Sequence, residues 1–231
     1  MNFLAIPAET ISITIILLII SYLIGSIPFG LVLGKGICKI DISKEGSGNI
    51  GSTNAIRILG KKVGFTVFAC DVLKGMIVIL LVRNILEPVG VYTSPIDYLY
   101  FGIAAILGHV FSIYLNFKGG KAVATSLGVV LVLTPLPAIL CLIIFGLTLY
   151  TIGYVSVSST CATLTVVISA WILHFVGLDV NQASWLFVIA KPSLLVCILY
   201  SIMGCLIIVK HFKNYKRIIN GTESNILRKN K

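Results

Sequence analysis

The sequence predicts an all-α, polytopic membrane bundle of about seven transmembrane helices, with the N-terminus outside and the C-terminus cytoplasmic. Three observations carry that prediction. The mean hydropathy is +1.05, and 58% hydrophobic against 11% charged residues leaves too few polar side chains to cover a soluble surface. Apolar runs recur at the length of about 20 residues that crosses a bilayer as a helix. Lys and Arg gather in alternate gaps between those runs, the bias that sets orientation. The 231 residues suit one integral-membrane domain spanning 1–231, with little left for a separate soluble one.

Residues 11–33 form the first span, in which Gly25, Ser26 and Gly30 admit a close neighbour and Pro28 kinks the helix. The run starts without a basic residue and continues past Gly34 without a cleavage site, so it reads as a retained helix and not a signal peptide. The polar loop at 36–62, flanked by Lys35, contains Lys39, Lys44, Arg57, Lys61 and Lys62 and is therefore placed inside. Residues 63–86 return outward. They carry Asp71 and Lys74 at i and i+3 on one face, where the two either pair or face a polar cavity.

Residues 87–97, with Pro88, Gly90 and Pro95, read as an external turn. Residues 98–115 cross inward with His109 near the inner end, and the second inside loop, 117–122, follows. Residues 122–152 are apolar but broken at Thr134–Pro135–Leu136–Pro137. A Pro-x-Pro step disfavours a continuous helix, so two short helices of about 13 to 15 residues are expected, with a re-entrant hairpin and five spans as the alternative. YVSVSS, within 154–160, reads as a third cytoplasmic turn. Residues 163–176 form the sixth span, 178–191 an external loop with Trp185 at the interface, and 192–209 the seventh span. The tail 210–231 carries Lys210, Lys213, Lys216, Arg217, Arg228, Lys229 and Lys231. On this topology fifteen of the eighteen Lys and Arg lie inside, with Arg83 and Lys191 outside and Lys74 within a helix.

The net charge of +10 sits at the ends of apolar runs and not in a continuous stripe, so no nucleic-acid partner is expected. The six cysteines form no CxxC pair, which indicates neither a zinc site nor a disulfide framework. No metal or other cofactor is expected.

Two polar stretches have the chemistry of phosphate binding. The first is GSGNIGSTNAIR at 46–57. Gly46, Gly48 and Gly51 let backbone approach an anion, Ser47, Asn49, Thr53 and Asn54 add polar side chains, and Arg57 lies one helical turn past Thr53. Its G-x-x-x-x-G-S-T spacing resembles an ATP-binding loop but has Ser52 where lysine is required, which argues against ATP hydrolysis. A glycine-rich turn with a snorkelling arginine is the plainer alternative. The second stretch is KGGK: Lys118, Gly119, Gly120 and Lys121. His109, about two turns deeper, is either a ligand or a structural histidine. Ser156 and Ser159, and His211 with Asn214 at i and i+3 where the last helix leaves the bilayer, complete the candidate binding residues. Near the latter pair, Lys210 and Lys213 admit an ordinary interfacial basic belt. No nucleophile with an adjacent base is visible, which argues against a triad hydrolase, and Asp71 has no acidic companions for a metal-dependent phosphotransferase.

SYLIGSIPFG, GSGNIGSTNAIR, DVLKG, GHVFSIYLNFKGGKAVATSLG and NGTE together resemble the PlsY-type acyl-phosphate:glycerol-3-phosphate acyltransferases, over nearly the whole chain. The resemblance implies a seven-helix bacterial inner-membrane enzyme working on the cytoplasmic side. It would transfer a fatty acyl group from acyl-phosphate, not acyl-CoA, to the 1-hydroxyl of sn-glycerol-3-phosphate. The products would be 1-acylglycerol-3-phosphate (lysophosphatidic acid) and phosphate, the first step of phospholipid biosynthesis. It further implies that Ser47, Arg57, Lys121 and His211 hold the glycerol-3-phosphate phosphate, and that the glycine loop through Thr53 cradles the phosphate of the donor. The expected partners are these substrates and membrane lipid, around a monomer. A transporter or channel for a phosphorylated solute is the alternative, disfavoured because the polar motifs crowd one side. Ser112, Asn116, Ala122 and Ser52 stand where the family carries Pro, Gly, Gly and Ala. Phe212 and Lys213 replace Arg and Glu, which removes an expected ion pair at that helix end.

Overall fold

A computed structural model describes residues 8–88, 95–176 and 192–228, and its regular structure there is helical. The expected external turns at 87–97 and 178–191 fall largely outside the described residues, as do Trp185, Lys191, Lys229 and Lys231. The helices are α1 (Ala8–Ser26), α2 (Phe29–Leu33), α3 (Ser52–Leu59), α4 (Lys61–Leu86), α5 (Pro95–Val110), α6 (Val123–Leu133), α7 (Pro135–Ile152), α8 (Val155–Val176), α9 (Leu194–Lys210) and α10 (Phe212–Ile219). Among the described residues four helical segments are long and apolar enough to cross a membrane, or six if each of two bent pairs is one span. A seventh crossing would need α6, whose 11 residues reach only about 16 Å. The chain divides into two compact units, 1–129 and 130–231, with the boundary inside α6.

In the first unit α1 packs along α5 at backbone contact, because a Cβ on Gly25 would lie 2.1 Å from the Ala105 carbonyl oxygen. The kink expected at Pro28 is a 46° bend between α1 and the α2 region. Beyond α2 the helix runs on as a π-turn through Cys38, further than the polar composition suggested, and stops where Lys39 turns left-handed at φ 60°. α5 ends at Val110, five residues short of the expected end of that span. Ser112 is extended and its Oγ donates to the Ser26 carbonyl at 2.6 Å, and after a 3-10 turn (Ile113–Leu115) Asn116 and Phe117 adopt positive φ.

In the second unit Thr134 breaks the chain between α6 and α7, and Pro135 sits at the first position of α7, where its missing N–H is not required. The two helices expected from the Pro-x-Pro step are present, although α7 has 18 residues. The expected turn over 154–160 is corrected. Only Gly153, at φ 80°, and Tyr154 separate α7 from α8, and the serines are helical. Their hydroxyls donate back along the helix, Ser158 to Tyr154 O at 3.1 Å, Ser159 to Val155 O at 2.8 Å and Thr160 to Ser156 O at 2.9 Å. A polar run satisfied in this way does not need water or a turn. α9 and α10 meet at His211 with a 44° bend.

Candidate active site

The GSGNIGSTNAIR stretch folds around Asn54. This residue is 1% exposed; its Nδ2 donates to the carbonyls of Ile42 and Glu45, each at 3.0 Å, and its Oδ1 accepts from the Ser47 amide at 3.0 Å. Its polar atoms are thus engaged by the loop, and Asn54 shapes the loop where the sequence suggested a substrate donor. Gly46 is required beside it: φ is 58°, and a Cβ would stand 2.5 Å from Asn54 Oδ1. Asn49 Oδ1 accepts from the Gly51 amide at 2.8 Å. Upstream, Asp41 accepts from the Ser43 hydroxyl at 2.6 Å and pairs with Lys35 at 2.9 Å. The Ser43 hydrogen bond first, and Lys35 second, lower its carboxyl to a pKa of about 2.

Once these bonds are made, four groups stay open for an anion. Ser47 is exposed, and its hydroxyl has no partner among the described residues. Gly51 caps α3 without a side-chain bond, so the amides of Ser52 and Thr53 in the first turn are left at the positive end of the helix dipole. Arg57, one turn on, is exposed and has no ion-pair or hydrogen-bond partner among the described residues.

KGGK is built differently from the expectation. The Gly120 amide donates to His109 O at 2.9 Å and the Gly119 amide to Val110 O at 3.1 Å. A Cβ at Gly119 would be 2.0 Å from His109 O, and one at Gly120 2.3 Å from His109 Nε2. The glycines therefore let the segment lie flush on the end of α5 and satisfy its terminal carbonyls; they do not offer free amides. The charge on this segment is carried by Lys118, which is exposed, and by Lys121, which is half-buried.

His109 lies under this segment, 5% exposed. Its Nδ1 is 3.2 Å from Thr125 Oγ1 and 3.7 Å from Asp71 Oδ1. Asp71 pairs with Lys74 at 2.8 Å, and Lys74 Nζ donates to the Ile27 carbonyl at 2.8 Å. The i, i+3 carboxylate and ammonium thus pair, and the histidine is a buried support.

One apolar base carries both polar stretches. Leu31, Ile42, Ile50, Ala55 and Val67 form it, and Leu115, just before KGGK, packs against it. The base also seats the loop on α2, since a Cβ on Gly30 would fall 1.9 Å from the Ile50 carbonyl oxygen.

The second unit holds the remaining candidates. His211 is 2% exposed, and its Nδ1 lies 2.8 Å from Ile207 O, so in the neutral ring the proton sits on Nδ1. Asn214 Nδ2 donates to Glu223 Oε1 at 2.7 Å, and Arg217 Nε donates to Glu223 Oε2 at 2.6 Å. The ion pair expected to be missing at this helix end is therefore supplied by Glu223 of NGTE, a residue that sequence reasoning passed over. Ser156 and Ser159 are buried in the first turns of α8, and Ser156 Oγ has no hydrogen-bond partner among the described residues. The tail is clasped to the α7–α8 turn by Asn225 Nδ2 on Ile152 O at 2.9 Å and by the Ile226 amide on Gly153 O at 3.0 Å. No group of three or more His, Cys, Asp or Glu converges as a metal site among the described residues.

The profile of a family described as Glycerol-3-phosphate acyltransferase matches residues 15–221. The glycerol-3-phosphate acyltransferase of Lactococcus lactis subsp. lactis is 41% identical over 210 residues, covering 91% of this chain and 92% of that protein. Glycerol-3-phosphate acyltransferase 2 of Bacillus anthracis is 43% identical over 213 residues, covering 92% and 99%. Two crystal structures of PlsY (YgiH), described as an integral membrane glycerol 3-phosphate acyltransferase, are similar with TM-scores of 0.75 for the glycerol 3-phosphate form and 0.72 for the lysophosphatidic acid form. Each is 34% identical and covers 92% of this chain and 94% of that chain.

Proposed function

The chain belongs to the glycerol-3-phosphate acyltransferase family, and from that premise we propose that it transfers a fatty acyl group from acyl-phosphate to the 1-hydroxyl of sn-glycerol-3-phosphate. The products are 1-acylglycerol-3-phosphate and inorganic phosphate. The reaction runs on the cytoplasmic side of the inner membrane, on a monomer. The observation that carries this reading is the open Ser47 hydroxyl, the α3 N-terminal amides and Arg57, raised on the same apolar base as KGGK.

An acyl-phosphate is a mixed anhydride, already activated, so the protein's task is to orient two anions and neutralise the departing phosphate. The 1-hydroxyl oxygen forms a bond to the acyl carbon, and the bond from that carbon to the bridging phosphate oxygen breaks. The hydroxyl proton passes to a phosphate oxygen of a substrate, and phosphate leaves. Ser47, Arg57 and Lys121 hold the glycerol-3-phosphate phosphate, Arg57 through its planar fork of donors. The loop from Gly46 to Thr53 receives the phosphate of the donor. The sequence resemblance gives His211 a binding role, whereas Asn214, Ser156 and Ser159 are candidate binding residues from their own polar stretches alone.

The test is purified protein supplied with glycerol-3-phosphate and either acyl-phosphate or acyl-CoA. Lysophosphatidate should form from acyl-phosphate alone. Its absence with every acyl-phosphate chain length tried would overturn the assignment.

A further inference from the structure

The outer face of α10 combines large apolar with cationic side chains, a mixture that suits neither water alone nor a protein core. The inner side of this helix carries Asn214, 8% exposed and tied to Glu223. The outer side presents Phe212 at 58% exposed and Ile219 at 83%, with Lys213 and Lys216 exposed between them. The Lys216 ammonium stands 5.0 Å from the Phe212 ring centroid, so cation and aromatic face form one surface. Exposed Ile226 and Leu227 of the clasped tail add apolar area in the same unit.

The placement identifies the occupant. α10 follows α9, whose apolar run ends at Val209, itself 68% exposed, and the 44° bend at His211 turns α10 away from the axis of that helix. The exposed apolar side chains therefore continue from α9 onto α10, and the exposed lysines begin where the apolar run of α9 stops. A short basic helix with large apolar residues at this depth matches the boundary between acyl chains and headgroups.

We propose that Phe212, Lys213, Lys216 and Ile219 form a binding surface for anionic phospholipid headgroups. Phe212 and Ile219 enter the acyl boundary, and the two ammonium groups take the headgroup phosphates. Each lysine near an anionic surface favours binding by roughly fivefold. Because the inner side of the same helix holds Asn214, the charge of the bilayer would also steady a candidate binding residue, a consequence that rests on the proposed function.

The experiment uses the full chain in phosphatidylcholine vesicles doped with photoactivatable phosphatidylglycerol or photoactivatable phosphatidylcholine. No reaction substrate is present, so its outcome is independent of acyl transfer. Crosslinks are mapped by mass spectrometry to residues 210–228. Phosphatidylglycerol should label this segment at least severalfold more than phosphatidylcholine. The excess should fall toward the phosphatidylcholine level in Lys213→Gln/Lys216→Gln, and in each single variant by a smaller step. Excess inorganic phosphate should leave it unchanged. Equal labelling by the two lipids, an excess that survives both substitutions, or its loss to inorganic phosphate would each overturn the proposal.

Discussion

Lys74 donates from its ammonium to the carbonyl of Ile27, 47 residues earlier in the chain, at 2.8 Å. That carbonyl sits at the bend, where it also accepts from the Phe29 amide at 3.2 Å, and the next residue, Pro28, has no N–H to carry the α1 ladder on. The same ammonium pairs with Asp71, which approaches His109 beneath Gly120. One buried ion pair on α4 thus steadies both the bend that seats the glycine-rich loop through Gly30 and the end of α5 that carries KGGK.

Removing one partner leaves the other charge buried, so Lys74→Met should destabilise by about 3–5 kcal/mol. Lys74→Met with Asp71→Asn should recover part of that loss. Thermal unfolding in detergent of the two single variants and the double variant checks the coupling; strictly additive effects would contradict it.

Asn54 should tolerate no isostere. Asn54→Asp keeps the acceptor for the Ser47 amide but loses both donations, to Ile42 and Glu45, and sets a carboxylate against two carbonyls. Steady-state kinetics should show a raised KM for glycerol-3-phosphate in Asn54→Asp at least as large as in Asn54→Ala. Either substitution should cost about 1–3 kcal/mol of stability through unsatisfied buried groups.

Ala122 holds φ 60°, a conformation that costs a non-glycine residue about 1 kcal/mol. Ala122→Gly should therefore raise the thermal midpoint, although the gain is reduced by glycine's larger entropy when unfolded. A lowered midpoint would show that the alanine methyl contributes more by packing than its backbone strain removes.

Asp41 makes the acid side of stability testable. Its folded-state pKa of about 2 lies below the ordinary 3.8, so its contribution is present above pH 4 and disappears as pH falls through about 2. The gap in thermal midpoint between wild type and Asp41→Asn should accordingly be full at pH 6 and narrow toward pH 2. A gap that widened on acidification would contradict the Ser43 and Lys35 bonding.

The sequence made the fold class legible because bilayer thickness and backbone hydrogen bonding leave few ways to arrange such apolar runs. The bend at Pro28 and the break at Thr134 were legible because proline restricts the backbone around it, lacking an N–H at Pro28 and turning Thr134 out of the helical conformation ahead of Pro135. The polar stretches were legible as chemistry but not as geometry. Asn54, Gly119 and Gly120 look like ligand-binding groups in one dimension, yet loop and helix-end carbonyls claim them. The polar run at 154–160 looks like a turn until the hydroxyls of Ser158, Ser159 and Thr160 find carbonyls four residues back. Glu223 was missed because its partners, Asn214 and Arg217, meet it only after Gly221, at φ 70°, turns the chain back. The sole signal for it was the short NGTE motif.

Lysophosphatidate formation from acyl-phosphate and glycerol-3-phosphate by Ser47→Ala, Arg57→Ala and Lys121→Ala, each purified from membranes and compared with wild type, decides whether these three side chains hold the substrate phosphate. Turnover should fall roughly a hundredfold or more in each, with insertion and helix content intact. Near-wild-type kinetics in all three would contradict that role.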